Sequence, residues 1–107
     1  MFNPRILVVD DEMIVCESCQ RILDEEGYEV EIALSGKEAF EKMKSNPFDI
    51  VITDLKMPGI DGMEVLKTLR KEYPDAIVIM ITGYSTVETA VEAMKLGAFD
   101  YIPKPFT

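Results

Sequence analysis

Five short apolar segments, separated by stretches with helical periodicity, constrain the fold of this chain more than any other feature. They span residues 6–9, 30–33, 50–53, 77–81 and 99–102. The first, third and fourth are hydrophobic at nearly every position, which is typical of strands covered on both faces rather than strands with one face in water. The pattern therefore predicts a parallel sheet between layers of helices.

The four stretches between these segments predict amphipathic helices, because their apolar residues return every three or four positions. Ser35 with Glu38, and Ser85 with Glu88, have the spacing of a capping box, in which two side chains satisfy free amides at a helix start. The apolar stripes consist of Val15, Cys19, Ile22 and Leu23; Ala39, Phe40 and Met43; Met63, Leu66 and Tyr73; and Val87, Ala90, Val91 and Met94.

The regular alternation of strands and helices predicts an α/β fold with right-handed crossovers. A doubly wound, five-stranded parallel sheet in the order 2-1-3-4-5 is the common solution, and it opens a crevice at the carboxyl ends of strands one and three. The 107 residues suffice for one hydrophobic core, so we expect a single domain over residues 1–107.

Charge and composition exclude several classes of function. The chain has 20 acidic and 11 basic residues and a net charge of −9, which disfavours direct binding to nucleic acid or to an anionic membrane surface. It contains no histidine, so nucleophiles activated by a histidine of this chain and zinc sites that require histidine are excluded. Carboxylate, hydroxyl and amine chemistry remains.

Neither a membrane span nor an export signal is predicted. The longest apolar run, residues 76–81, is much shorter than the roughly 18 residues that indicate a transmembrane helix. Asp10 and Asp11 interrupt the apolar stretch at the amino terminus almost at once.

Acidic side chains follow the two strands that should border the crevice. Asp10 and Asp11 come directly after the first strand, and Asp54 ends the third. Carboxylates held this close repel one another, which either raises their pKa values or favours a bound cation. Oxygen ligands without histidine or cysteine select a hard ion, and a few carboxylates with open positions are more typical of Mg²⁺ than of Ca²⁺.

The remaining strand ends carry groups that complement a phosphoryl group. Thr82 offers a hydroxyl donor, Gly83 leaves the backbone open to a ligand, and Lys104 supplies a positive charge. An aspartate such as Asp54 is a natural nucleophile for this chemistry. Taken singly, each residue has an ordinary role as a cap, a turn former or a solvated side chain, but their joint placement at four strand ends favours a site.

Two cysteines form a C-x-x-C motif, which raises the alternative of a redox pair. A reactive pair should lie at a helix amino terminus, where the helix dipole lowers the thiol pKa. Cys16 instead falls inside the first predicted helix and Cys19 on its apolar stripe. We therefore expect both to be packing residues.

The motifs at residues 6–12 (ILVVDDE), 54–62 (DLKMPGIDG), 82–83 (TG) and 104–106 (KPF) together resemble those of a response-regulator receiver domain of bacterial two-component signalling. The resemblance covers the whole chain and implies a flavodoxin-like fold. Residues 83–88 and 101–106 are similar to receivers of NtrC-type, enhancer-binding transcription activators.

The resemblance implies a phosphoacceptor that catalyses only its own phosphorylation and dephosphorylation. Asp54 would take the phosphoryl group from a phosphohistidine on a sensor histidine kinase. Asp10, Asp11, Asp54 and the backbone carbonyl of Lys56 would hold Mg²⁺. The protein would be cytoplasmic, and any DNA binding would belong to other domains.

The resemblance also implies which residues would bind the phosphoryl group and which would change position on phosphorylation. Lys104 would pair with the phosphoryl oxygens beside Gly83, and Thr82 would donate a hydrogen bond to one of them. Tyr101 would turn inward as Thr82 moves, and the surface of the fourth helix and fifth strand would contact an output domain or a second copy. A cis peptide bond is expected between Lys104 and Pro105.

Two other functions use related folds or chemistry, and the sequence disfavours both. Phosphatases of the haloacid dehalogenase type carry a D-x-D motif. In this chain the residue two positions after Asp54 is Lys56 rather than an aspartate. A flavodoxin-like FMN carrier needs a phosphate loop rich in Ser, Thr and Gly after the first strand, where this chain has Asp-Asp-Glu.

Receivers usually continue into a fifth helix that packs beside the first helix. This chain ends at Thr107, so we expect the fifth helix to be missing and roughly 400 to 600 Å² of apolar surface to be uncovered.

Overall fold

The computed structural model describes residues 3–104, in which five strands alternate with four helices. The strands are β1 (Arg5–Val9), β2 (Glu29–Ala33), β3 (Ile50–Asp54), β4 (Ile77–Thr82) and β5 (Asp100–Pro103). The helices are α1 (Met13–Glu25), α2 (Gly36–Ser45), α3 (Gly62–Glu72) and α4 (Val87–Lys95). No helix in this part of the chain is long and apolar enough to cross a membrane.

All strands are parallel and lie in the order β2-β1-β3-β4-β5. The predicted doubly wound order is thus confirmed. Alternation along each strand divides the apolar residues between two cores. Ile6 and Val8 belong to the core beneath α1, whereas Leu7 and Val9 belong to the larger core beneath α2 and α3, to which Ala93 of α4 also contributes.

The start of α2 is confirmed, but the predicted start of α4 is wrong by one residue. Ser35 accepts a hydrogen bond from the Glu38 amide at the start of α2. At α4 the cap is formed by Thr86 and Thr89 instead of Ser85 and Glu88. Each threonine Oγ1 accepts a hydrogen bond from the backbone amide of the other threonine. The free amides of this helix start are thus satisfied without Glu88.

The apolar stripe of α4 faces solvent. Val87 is 77% exposed, Val91 47% and Met94 49%, and only Ala93 of this helix is buried. α4 therefore rests on the sheet through a small side chain, and few packing contacts hold it. Helical periodicity showed that a stripe exists but not what it faces.

The face of the sheet that carries α1 is only partly covered. α1 packs on β1 and β2. Further along the sheet, the isoleucines of β3, β4 and β5 on this face remain partly exposed, namely Ile50, Ile52, Ile77, Ile79, Ile81 and Ile102.

Candidate functional site

The register of the sheet brings the ends of β1 and β3 together. Val9 lies opposite Thr53, so Asp10 and Asp54 emerge beside each other at the carboxyl edge. Both are buried, with Asp10 2% exposed and Asp54 5% exposed. The Asp10 amide donates to the Ala33 carbonyl and so continues the ladder one residue beyond the strand.

Three consecutive carboxylates form an acidic cluster at the start of α1. One carboxylate oxygen from each of Asp10, Asp11 and Glu12 lies within 4.8 Å of the others. The Glu12 amide donates to Asp10 Oδ1 at 3.0 Å, which holds the turn in this shape. Glu12 was not among the predicted ligands, although its place in the Asp-Asp-Glu run was the available signal.

Lys104 joins this acidic cluster to Asp54. Its ammonium nitrogen lies 2.9 Å from Asp10 Oδ2 and 3.9 Å from Asp54 Oδ1. The Lys104 amide donates to the Thr82 carbonyl at 2.7 Å, which fixes where the side chain begins. Burial alone would lower the pKa of Lys104, but the hydrogen bond and charge of Asp10, with the charge of Asp54, outweigh it and raise the pKa above its usual value.

Asp54 has one engaged and one open carboxylate oxygen. Oδ1 accepts a hydrogen bond from the Leu55 amide at 2.8 Å, and Oδ2 has no hydrogen-bond partner among residues 3–104. Burial, and then the negative charge of Asp10, raise the pKa of Asp54 above its usual value, whereas Lys104 and the Leu55 amide oppose the rise. The open oxygen is the atom available for bond formation.

The end of β4 supplies a donor and an open backbone. Thr82 is fully buried, and its Oγ1 accepts a hydrogen bond from the Tyr84 amide at 3.0 Å. Within the described chain no acceptor takes the Thr82 hydroxyl proton, so this proton remains for a ligand. A side chain added at Gly83 would meet only Lys104 Cβ, at 4.0 Å, which agrees with the expected approach of a ligand to this backbone.

Two further predicted site residues, Lys56 and Tyr101, lie within the described part of the chain. Lys56 is exposed in the loop after β3. Tyr101 is half-buried against the larger core, and its hydroxyl contacts Thr89 of α4 rather than Thr82. Pro105, and with it the predicted cis peptide bond, lies outside the described residues.

A glycine at the start of α3 allows this helix to approach the end of β3. A Cβ atom at Gly62 would lie 2.1 Å from the Asp54 carbonyl oxygen and 2.8 Å from Leu55 Cα. The Gly62 amide donates to the Leu55 carbonyl at 2.8 Å. Gly62 belongs to the quoted Asp-Gly motif, but no sequence argument had given it this role.

The donor set suits a hard divalent cation. Asp10, Asp11, Glu12 and Asp54 offer only oxygen, and Lys104 is the one cation that forms ion pairs with this group within the described chain. Four carboxylates near one ammonium group leave an excess of negative charge at a partly buried place, which favours a bound cation.

The cysteines of the C-x-x-C motif are free, and both are buried in the core beneath α1. Cys16 Sγ donates to the Asp10 carbonyl at 3.4 Å. Burial, and next the charge of Asp10, raise the Cys16 pKa from 9.0 to about 11. Burial also raises the pKa of Cys19. Their role as packing residues agrees with these surroundings.

We therefore expect Cys16 of a Cys19→Ser variant to react with a chromogenic disulfide reagent at pH 8 at least about tenfold more slowly in the native state than in guanidinium chloride, because burial shields the thiol and raises its pKa. Stopped-flow absorbance measures both rates. The folded thiol also holds its proton more tightly than the unfolded one, so its contribution to stability should be lost as the pH rises from 9.0 to about 11. Equal native and unfolded rates would contradict this prediction.

Comparison with known proteins agrees with this geometry. Residues 6–107 match the response regulator receiver domain family. The chain is 45% identical over 103 residues to the transcriptional regulatory protein ZraR of Escherichia coli K12, covering 96% of this chain and 23% of ZraR. It is 43% identical over 102 residues to the response regulator MprA of Mycolicibacterium vanbaalenii, covering 95% of this chain and 44% of MprA. The chain thus spans less than half the length of these relatives.

Solved structures show the same fold. A CheY-like receiver domain protein from Methanospirillum hungatei superposes with a TM-score of 0.94 at 39% identity, over 99% of this chain and 85% of that one. The receiver domain of NtrX from Brucella abortus gives a TM-score of 0.90 at 36% identity, over 95% of this chain and 87% of that one. The chain belongs to the receiver domain family of response regulators, and its resemblance to receivers of NtrC-type activators is confirmed.

Proposed function

We propose that this domain accepts a phosphoryl group on Asp54 and passes the signal on through a change in conformation. The observation that carries the proposal is Asp54, whose Oδ2 atom is open and whose Oδ1 atom lies 3.9 Å from Lys104, which also pairs with Asp10 of the acidic cluster. A nucleophile, a place for a cation and an ammonium group meet at one edge of the sheet. These are the groups that phosphoryl transfer to a carboxylate requires.

In the proposed reaction, Oδ2 of Asp54 attacks the phosphorus atom of a phosphohistidine on a sensor histidine kinase. The new bond joins Oδ2 to phosphorus, and the bond between phosphorus and the imidazole nitrogen breaks. The imidazole leaves with that electron pair, and an acyl phosphate remains on Asp54. Lys104 then moves from Asp10 toward the phosphoryl oxygens, and Thr82 donates its free hydroxyl proton to one of them.

Mg²⁺ bound by Asp10, Asp11 and Asp54, with the carbonyl of Lys56, would offset the negative charge that gathers as a phosphoryl group approaches a carboxylate. Glu12 lies close enough to its neighbours to support the same cation. The residues themselves then orient the nucleophile, since the Leu55 amide holds Oδ1 and leaves Oδ2 open.

The signal is proposed to leave through α4 and β5. Phosphorylation would draw Thr82 toward the phosphoryl group and let Tyr101 turn inward, which shifts an existing equilibrium between two arrangements. The exposed side chains of α4 would then meet an output domain or a second copy. The whole regulator would act in the cytoplasm, with DNA binding left to other domains. The exposed isoleucines beside α1 support the proposal that a further helix covers that face in the intact regulator.

Exposure to acetyl phosphate tests the function directly. With Mg²⁺ present, intact-mass spectrometry should show one added phosphoryl group, and a chelator should prevent its addition. Peptide mapping should place the group on Asp54. Absence of the adduct with acetyl phosphate and with a phosphorylated kinase would refute the proposal, and steady turnover of a free phosphomonoester would favour a phosphatase.

Removing the charge of Asp10 should weaken Mg²⁺ binding. We expect Asp10→Asn to lower the affinity at least about tenfold, because the buried member of the cluster loses its anionic oxygen. Isothermal titration calorimetry measures the effect. Asp75→Asn is the matched control, since Asp75 is exposed and precedes β4 at the opposite edge of the sheet. Equal affinities for the Asp10 variant and the unaltered protein would exclude Asp10 as a ligand.

A further inference from the structure

The hydroxyl of Tyr101 contacts the first turn of α4. Its oxygen lies 2.7 Å from Oγ1 of Thr89, the shortest hydrogen bond between two side chains within residues 3–104. Tyr101 stands on β5 opposite Met80. Thr82 follows two residues later on β4, so it shares a face of the sheet with Tyr101. The contact thus links the strands beside the phosphoacceptor site to α4.

Thr89 is at the same time half of the cap that begins α4. Its Oγ1 accepts a hydrogen bond from the Thr86 amide at 3.1 Å, and the Thr89 amide donates to Thr86 Oγ1 at 3.1 Å. Thr89 Oγ1 also lies 3.0 Å from Thr86 Oγ1 and 3.1 Å from the Thr86 carbonyl oxygen. One hydroxyl therefore serves the cap and Tyr101 together.

Counting protons gives an arrangement that satisfies every hydrogen bond of the Thr89 hydroxyl. A threonine hydroxyl has one proton and two lone pairs. At Thr89 one lone pair accepts from the Thr86 amide, and the proton is directed to Thr86. In this arrangement the second lone pair accepts from the Tyr101 phenol. In the opposite direction Thr86 Oγ1 would donate to Thr89 Oγ1 and Thr89 to the phenol, so the contact joins Tyr101 to the cap in either case.

α4 depends on this contact more than a well-packed helix would. Val87, Val91 and Met94 face solvent, and Ala93 alone is buried. With so few packing contacts, hydrogen bonds at the helix start account for a larger share of what holds the first turn in place. A hydrogen-bond partner that holds the Thr89 hydroxyl therefore also stabilises the cap.

We infer that Thr89 is a positioning residue that holds Tyr101 in its present place and couples it to the first turn of α4. The part of this inference that concerns signalling rests on the proposed function. When Tyr101 turns inward, its hydroxyl leaves Thr89, the cap loses a hydrogen-bond partner, and the first turn of α4 loosens. Thr89 would therefore transmit the position of Tyr101 to the exposed face of α4.

Amide hydrogen exchange in the unphosphorylated protein tests the coupling. The probes are the amides of Thr86, Thr89 and Ala90, which are hydrogen-bonded within the cap. Tyr101→Phe keeps the ring and removes only the hydroxyl, and it should speed their exchange about three- to tenfold, the range for one net hydrogen bond. Thr89→Val should have at least this effect, whereas Thr89→Ser should remain within about twofold of the unaltered protein.

The double variant decides between coupling and independent roles. If Tyr101 acts through Thr89, adding Tyr101→Phe to Thr89→Val should change exchange no further. If Tyr101→Phe alone leaves exchange unchanged, or if the two effects multiply, the inference is wrong and Thr89 is a cap only. Far-ultraviolet circular dichroism of each variant checks that the fold is retained.

A second measurement separates this inference from the proposed function. With Mg²⁺ and acetyl phosphate, exchange at the same three amides should rise in the unaltered protein and change much less in Tyr101→Phe. Failure of Asp54 to take up a phosphoryl group would refute the proposed function, while the exchange data of the unphosphorylated variants would still decide the role of Thr89. Phosphorylation without any change in exchange would refute the signalling part of the inference alone.

Discussion

Replacing Asp54 by asparagine is expected to lower the initial rate of phosphoryl uptake on the order of a thousandfold or more, the scale of losing a nucleophile. The amide that replaces the open Oδ2 position is not a nucleophile for phosphorus. Within the described chain, no carboxylate of the acidic cluster accepts from the Leu55 amide and pairs with Lys104, as Asp54 does. The rate is measured by intact mass during incubation with Mg²⁺ and acetyl phosphate.

The control for Asp54→Asn is Asp75→Asn, which makes the same chemical change at an exposed position at the opposite edge of the sheet. It should take up phosphate at the rate of the unaltered protein. Uptake that persists in Asp54→Asn at an undiminished rate would assign the acceptor role to another residue. Urea unfolding of both variants confirms that they are compared in the folded state.

Replacing Gly62 by alanine is expected to destabilise the fold by about 3 kcal/mol, the upper part of the usual range for overpacking. The added Cβ would lie 2.1 Å from the Asp54 carbonyl oxygen and 2.8 Å from Leu55 Cα. Both are backbone atoms, so no side chain can rotate away, and α3 must move off the end of β3. This loss is a large fraction of the roughly 5 to 15 kcal/mol that stabilises a domain.

Urea unfolding followed by circular dichroism measures the stability of Gly62→Ala. Gly83→Ala is the matched control, because its Cβ would meet only Lys104 Cβ at 4.0 Å; its stability should stay within about 0.5 kcal/mol of the unaltered protein. A Gly62 variant as stable as the Gly83 variant would show that the approach of α3 to Asp54 is not a constraint on the fold.

The apolar segments of the sequence predicted most of the fold. Four of the five predicted apolar segments lie inside observed strands, and the fifth differs from β5 by one residue at each end. Such segments are read from local hydrophobicity, and parallel strands covered on both faces need that hydrophobicity wherever they occur. The placement of Asp10, Asp54, Thr82 and Lys104 at one edge followed from the same reasoning, because parallel strands all end at the same side of a sheet.

The features that the sequence did not reveal depend on contacts between distant parts of the chain. The cap of α4 uses Thr86 and Thr89, although Ser85 and Glu88 have equally suitable spacing. A spacing rule cannot choose between two overlapping candidates, since the choice depends on how the helix rests on the sheet. The contact between Thr89 and Tyr101 is invisible for the same reason.

By itself, the sequence determined the order of the elements, the α/β class and the edge at which the reactive side chains gather, because hydrophobic periodicity and chain direction are local properties. Only the tertiary structure decided that Lys104 lies closer to Asp10 than to Asp54, that Gly62 touches the backbone of Asp54, and that α4 presents its apolar stripe to solvent. These are distances between separate elements, and they are set by packing across the sheet.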